Sequence, residues 1–200
     1  MAVITIPAKL YFTDVDIWND RVSAVLRSPF TGKRQVRKRA YDLWNFTGNL
    51  MPLDPMEAGD IKAFLMELAG QVNSFRLPVP GSKFPLSNYT GVQGMVNGNS
   101  QTGRSVATVG WSPNKALLKR GDHFNIADEL KVCTANVASA GDGSALISFE
   151  PPIRTSPLSG NAIKVREPFI LLASNDDGAA RWKITPPIRH GFKMNATETF

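Results

Sequence analysis

The densest chemistry in the sequence is Lys33-Arg34-Gln35-Val36-Arg37-Lys38-Arg39, where five of seven residues are cationic and none is acidic. Ammonium and guanidinium groups at this density suit phosphate contacts, which dominate sequence-independent nucleic-acid affinity. Read as a strand, the segment sends Arg34 and Lys38 to one side and Lys33, Arg37 and Arg39 to the other. Charges on both faces of one strand cannot be buried within a single chain without partners. The segment therefore reads as a sheet edge or a protruding hairpin, its charges facing solvent or acids on a neighbouring subunit. Tyr41 and Trp44 lie toward the presumed core end, so no aromatic stacking platform accompanies the cluster.

The remaining reactive side chains are scattered. Neither His123, after Gly121-Asp122, nor His190, beside Gly191, has a second histidine or a carboxylate at the helical spacing of a zinc protease. Each is expected as a polar surface group or a hydrogen-bonded structural one. Cys133 sits in Leu130-Lys131-Val132-Cys133-Thr134-Ala135, an alternating strand. A nucleophilic cysteine needs a histidine in reach and a lowered pKa; His123 across a hairpin is the one candidate base, and a small buried core residue is the favoured reading. No Gly-x-Ser-x-Gly elbow occurs, and Asn97-Gly98-Asn99 with Gly103 marks a turn without the lysine and helix of a phosphate loop. Asn175-Asp176-Asp177-Gly178 lacks the alternating acids and closing glutamate of a calcium loop and reads as a solvated turn. Helix capping and solvation explain Glu57, Asp60 and Glu67. The expectation is no catalytic site, no metal and no cofactor.

These residues belong to a chain of 200 residues and 21.9 kDa, room for one large domain or two small ones. Hydrophobic residues at 42% and charged residues at 20% are near globular values, which excludes a disordered or fibrous chain. Sixteen glycines and 14 prolines exceed the average combined usage of roughly 12%, favouring short strands and turns over an all-helical fold. A single cysteine excludes an internal disulfide framework and a cysteine-built zinc site. No apolar run approaches the ~20 residues of a membrane span, and no basic leader precedes an apolar block. The chain reads as soluble and unexported, without membrane insertion. Its net charge of +6 favours anionic partners without establishing one.

Strand patterns fill the first fifty residues: Val3 to Phe12, Arg21 to Arg27, and Lys33 to Phe46 after a Ser28-Pro29-Phe30-Thr31-Gly32 turn. One helix is predicted over 54–69. Asp54 and Glu57 resemble a capping box, Pro55 suits the first position, and Gly70 suits the end. Ile61, Phe64, Leu65 and Leu68 form a single apolar stripe, so the helix should lie across a sheet. After a short strand at 74–79, the Gly/Asn/Ser-rich stretch 87–104 suggests a module boundary. Strands are then predicted at 106–111, 123–126, 129–137 and 145–149, a compact meander or small barrel closed by Pro151-Pro152. Further strands are expected at 162–165, 169–173, 181–184 and 192–199.

The fold class that follows is mainly β: a β-sandwich carrying one amphipathic helix, with an inserted β-barrel or meander. Residues 1–86 and 165–200 would form the sandwich, because the first segment has too few strands for a second layer. Residues 87–164 would be the insert.

The order of these pieces resembles a known family. Trp44-Asn45-Phe46-Thr47-Gly48-Asn49-Leu50-Met51-Pro52-Leu53, the helix Glu57 to Leu65, and Leu68-Ala69-Gly70-Gln71-Val72-Asn73-Ser74-Phe75 are similar to distal tail and tail-tip proteins of long-tailed bacteriophages and related gene-transfer particles. Leu118-Lys119-Arg120-Gly121-Asp122-His123-Phe124-Asn125-Ile126 through Leu130, with Phe149-Glu150-Pro151-Pro152-Ile153-Arg154, resembles a segment of phage tail proteins of this size. The resemblance implies a non-enzymatic structural virion protein, assembled in the host cytoplasm as a ring, usually a hexamer, at the distal end of the tail tube. The implied partners are further copies of the chain, the tail tube protein and the hub or tip proteins. A tail fibre or host-surface glycan is a further implied partner, through an OB-like or lectin-like insert. The basic cluster Lys33, Arg34, Arg37, Lys38 and Arg39 supports an alternative, a basic nucleic-acid-binding β-barrel. A hydrolase built on Cys133 and a histidine is a weaker rival.

Overall fold

The computed structural model describes residues 1–8, 10–178 and 180–200, with backbone alone at residues 22 and 38–41. The chain is mainly β, with a single α-helix and more than one sheet, one of them a nearly closed barrel. It divides into two compact units, residues 1–75 with 172–199, and residues 76–171 with Phe200. The division falls inside two strands.

The first unit opens with β1 (Val3–Ile4), β2 (Phe12–Arg27), β3 (Arg34–Leu50), α1 (Pro55–Leu68) and β4 (Ser74–Pro78). In the second unit follow β5 (Met95–Val96), β6 (Gly103–Val109), β7 (Ala116–Leu118), β8 (His123–Ile126), β9 (Glu129–Cys133), β10 (Val137–Ala138), β11 (Ala145–Ile153) and β12 (Ile163–Lys164). The chain ends with β13 (Phe169–Ser174), β14 (Trp182–Thr185) and β15 (Arg189–Glu198).

The first sheet runs β1-β4-β13-β15-β3-β2, with β14 paired to β15. Even-numbered residues of β3 from Asp42 to Leu50 alternate inward, Trp44 and Phe46 among them, while the odd-numbered ones are only half-buried. Helix α1 covers the inward face of this sheet. Ile61, Phe64, Leu65 and Leu68 are all at most 2% exposed, and Phe64 meets Phe75 edge-on at 5.6 Å between ring centroids. The helix ends differ from the capping chemistry read in the sequence. Asp54 makes no side-chain cap; its carbonyl accepts from the Ala58 N–H, and its carboxylate stands 3.8 Å from Arg189. The left-handed turn that stops the helix begins at Ala69, one residue before Gly70.

The second unit is built on the order β12-β8-β9-β11-β6-β5. Strand β11 joins the two halves, pairing β6 through Ala145–Ser148 and β9 through Phe149 and Glu150. Closure comes from β5, where Val96 N–H donates to Asn161 O and Ile163 N–H to Gly94 O, both at 2.9 Å. Pro151-Pro152 does not end the strand; β11 continues to Ile153. The run 129–137 is broken after Cys133, where Thr134 N–H turns to Ser148 O. Inside lie Val106, Trp111, Phe124, Ile126, Cys133, Ile147, Phe149 and Ile163. Gly94 is required there, since a Cβ would sit 2.3 Å from the Trp111 indole.

Candidate functional site

Lys33, Arg34 and Arg37 lie on one hairpin. Strand β3 pairs β2 along its length, in the register Arg27↔Arg34, Leu26↔Gln35, Val25↔Val36 and Ala24↔Arg37. On its other side β3 pairs β15 only from Asn45 to Asn49. Beyond Trp44 the two strands therefore continue as an arm with no third strand among the described residues. From Arg21 to Arg27 this arm extends about 20 Å at the ~3.3 Å rise of a strand. Lys33, Arg34, Gln35, Val36 and Arg37 are all exposed, so both faces meet solvent, and none of the described side chains from Arg21 to Arg37 is buried. The side chains of Lys38 and Arg39 lie outside the described residues.

Pairing adds one cation to the cluster seen in sequence, Arg27, which stands opposite Arg34, while Arg21 stands opposite Asp42. Residues 27 to 39 then hold six basic groups and no acid, as many as the net charge of the whole chain, +6. Among the described residues, Arg27, Lys33, Arg34 and Arg37 form no ion pair. Exposed apolar side chains are interleaved with the charges: Val25, Leu26, Val36 and, at the turn, Phe30 at 95% exposure.

The base of the same hairpin has the opposite character. Asp14, Asp16, Trp18 and Asp20 alternate on the outward face of β2, which is the terminal strand of the sheet, and all four are exposed. Asp14 accepts from Asn49 Nδ2 at 2.8 Å and Asp20 from Asn45 Nδ2 at 3.3 Å. The sequence reading missed this face, although the alternation of Asp14, Asp16 and Asp20 was visible in it.

The other candidates have structural partners. Cys133 is buried, which pushes its thiol up, and its Sγ donates to Ala135 O. His123 Nδ1 is 3.1 Å from Ser82 Oγ, and burial pulls its pKa below the usual value despite the nearby Asp122 carboxylate. The Asp122 carboxylate accepts the Leu86 and Lys119 amides. His190, expected at the surface or in a satisfied hydrogen bond, is instead 4% exposed with its ring Nδ1 unpartnered among the described residues, held there by the backbone bonds between His190 and Leu53. In the Asn175-Asp176-Asp177-Gly178 turn, Asp177 accepts the Gln71 amide and Asp176 that of Gly178. A cleft of about 590 Å³ in the first unit is lined by Arg181, Lys183, Lys193, Asp176, Trp182 and Asn49 among others, with no histidine or cysteine in its lining. Among the described residues no three histidine, cysteine or carboxylate groups gather as a metal site, and no helix is long and apolar enough to cross a membrane.

No protein-family model matches the chain, and no curated protein matches it.

Proposed function

We propose that the chain is a ring-forming structural protein of a phage tail, placed at the distal end of the tail tube and joining tube to tip. The observation that carries this reading is the β2–β3 arm: a two-stranded extension, exposed on both faces, that mixes charge with apolar side chains. Such an element gains nothing for a monomer, since its apolar groups remain in water. It gains a great deal for an assembly in which it reaches a neighbour. The helix laid across a sheet and the small barrel within the chain agree with the organisation of the tail-tip proteins that the sequence resembles. In this reading the partners are further copies of the chain, the tube protein and the hub or tip proteins, and the location is the virion tail.

The charge of the arm favours one rival, nucleic-acid binding, because six basic groups without an acid among residues 27 to 39 suit a phosphate backbone. Negative-stain electron microscopy of the purified chain, with mass spectrometry of purified particles, tests the proposal. Closed rings with a central opening, and the chain in the particles, are expected. A chain that stays monomeric at micromolar concentration and is missing from particles overturns it.

A further inference from the structure

Two of the open edges of the first sheet lie on adjacent strands, β2 and β3. The outer edge of β2 has no neighbour, since β2 is the last strand of the sheet. Among the described residues, β3 has no neighbouring strand on the side away from β2 from Arg34 to Arg37, since β15 pairs it from Asn45 onward. We infer that the open β3 edge of one copy pairs antiparallel with the open β2 edge of the next, with Arg37 opposite Asp16 and Lys33 opposite Asp20. This rests on the ring reading above and specifies its contact.

The register follows from spacing. On β2, Asp14, Asp16 and Asp20 stand at intervals of two and four residues on one face. Counting back along the arm, Arg37 and Lys33 stand four residues apart, as Asp16 and Asp20 do, and by alternation also share a face. Antiparallel pairing sets opposite residues on one face with Cβ atoms about 4.5–5.5 Å apart, within reach of an ion pair. Arg37 with Asp16 and Lys33 with Asp20 then form together. Sliding the strands by two residues either way leaves at most one ionic pair. The other face agrees: Val36, half-exposed on the arm, falls opposite Ile17, an apolar pair, and Arg34 falls opposite Asn19.

The contact is intermolecular by geometry. Asp16 pairs with Thr47, ten residues along β3 from Arg37, a separation of about 33 Å on a strand. One hairpin therefore cannot bring its own arm to its own base. Because the two edges differ, the contact is head-to-tail, the type that closes into a ring when its rotation permits. Charged residues otherwise keep a free edge from pairing at random; here the opposite charges on the two edges make the wrong edge-to-edge meetings, β2 with β2 or β3 with β3, repulsive.

Charge reversal with a cross-link tests this. Lys33→Glu with Arg37→Glu, and separately Asp16→Lys with Asp20→Lys, should each weaken assembly at least tenfold in sedimentation while circular dichroism and the melting curve remain native. Combining all four changes should restore it. Trp18→Cys with Gln35→Cys places two cysteines opposite one another, at the Cα separation a disulfide accepts. Mild oxidation should give a ladder of covalent oligomers, and Trp18→Cys with Val36→Cys should not. Rings that form regardless of the reversals, with no ladder, overturn the register while leaving the ring reading in place. A wild-type chain that does not assemble overturns both. Tight binding of duplex DNA at physiological salt, abolished by the arm reversal in a chain that never assembles, assigns the arm to nucleic acid instead.

Discussion

Lys131 Nζ lies 2.6 Å from Glu129 Oε2 in the interior of the barrel, with the lysine side chain 0% exposed and the glutamate 9%. The ammonium also donates to Pro152 O at 2.8 Å, and the carboxylate accepts the Thr155 and Arg154 amides. The pair thereby ties β9 to the end of β11. Removing Lys131 leaves the buried carboxylate, among the described residues, with only the longer ion pair to Arg154 Nε at 3.8 Å, whereas replacing both members of a buried pair can be nearly neutral. Lys131→Ala should cost about 3–5 kcal/mol in urea unfolding. Lys131→Met combined with Glu129→Gln keeps an acceptor for the two amides and should recover most of that loss.

Acid should lower the chain's stability in two separable steps. Burial alone would raise the Glu129 carboxyl, but the Lys131 ammonium, its hydrogen bond and the two amides outweigh it and hold the group below its ordinary 4.5. A carboxyl depressed in the folded state stabilises fully above its unfolded value and loses that contribution as pH falls from there through the folded value. His123, lowered by burial below 6.5, works in the same direction, since the unfolded chain takes up the proton first. Stability should therefore begin to fall below about pH 6.5 and fall again below 4.5. Denaturant midpoints measured against pH should lose the first step in His123→Gln and the second in Glu129→Gln.

Two packing sites should respond to single substitutions. Phe64→Ala removes a ring 2% exposed between α1 and the sheet and should cost about 3–5 kcal/mol. Gly94→Ala adds one methyl where the Trp111 indole already stands, and Trp111 is fixed by its Nε1–H to Thr108 Oγ1 at 2.7 Å. Overpacking of this kind costs about 1–3 kcal/mol. Thermal denaturation of the two variants checks both, and near-UV circular dichroism should register the displaced tryptophan.

The helix was legible because four apolar residues at helical spacing admit one buried stripe, and that stripe is buried. Its caps were not, since a cap depends on the rotamer of Asp54, and Asp54 turns toward Arg189 rather than toward the first helical amides. Glu129 and Lys131 were illegible for a different reason. Alternation places them on one face with Cys133, but lysine is read as a surface residue unless its partner is known. The arm was half legible: charges on two faces mark a protruding strand, while the cation it gains from Arg27, and the acids at its base, emerge only from the strand register. The breaks at Cys133 and beyond Pro152 follow from which strand β11 pairs at each end, a tertiary fact.

The last expectation concerns the segment between β4 and β13. These strands are neighbours in the first sheet, and just beyond them Val79 N–H donates to Pro168 O at 2.9 Å. The chain thus leaves the sheet at Val79 and returns at Pro168 within one hydrogen bond of where it left. Eighty-eight residues, 80 to 167, are enclosed by that bond, and they carry their own buried cluster around Phe124, Ile147 and Phe149. An Asn-Gly pair spans adjacent strands in a tight turn, so joining Val79 to Pro168 through Asn-Gly should leave strands β1 to β4 and β13 to β15 with every pairing they have. Closing so short a loop also removes loop entropy from the folding of the sheet. The shortened chain should melt cooperatively with α1 still in place, and the edges of β2 and β3 should still assemble. Far-UV circular dichroism, thermal melting and sedimentation of this chain test the expectation. Loss of cooperative melting with both Asn-Gly and a longer Gly-Ser link would mean that residues 80–167 supply contacts the sheet needs, and that the chain folds as one domain.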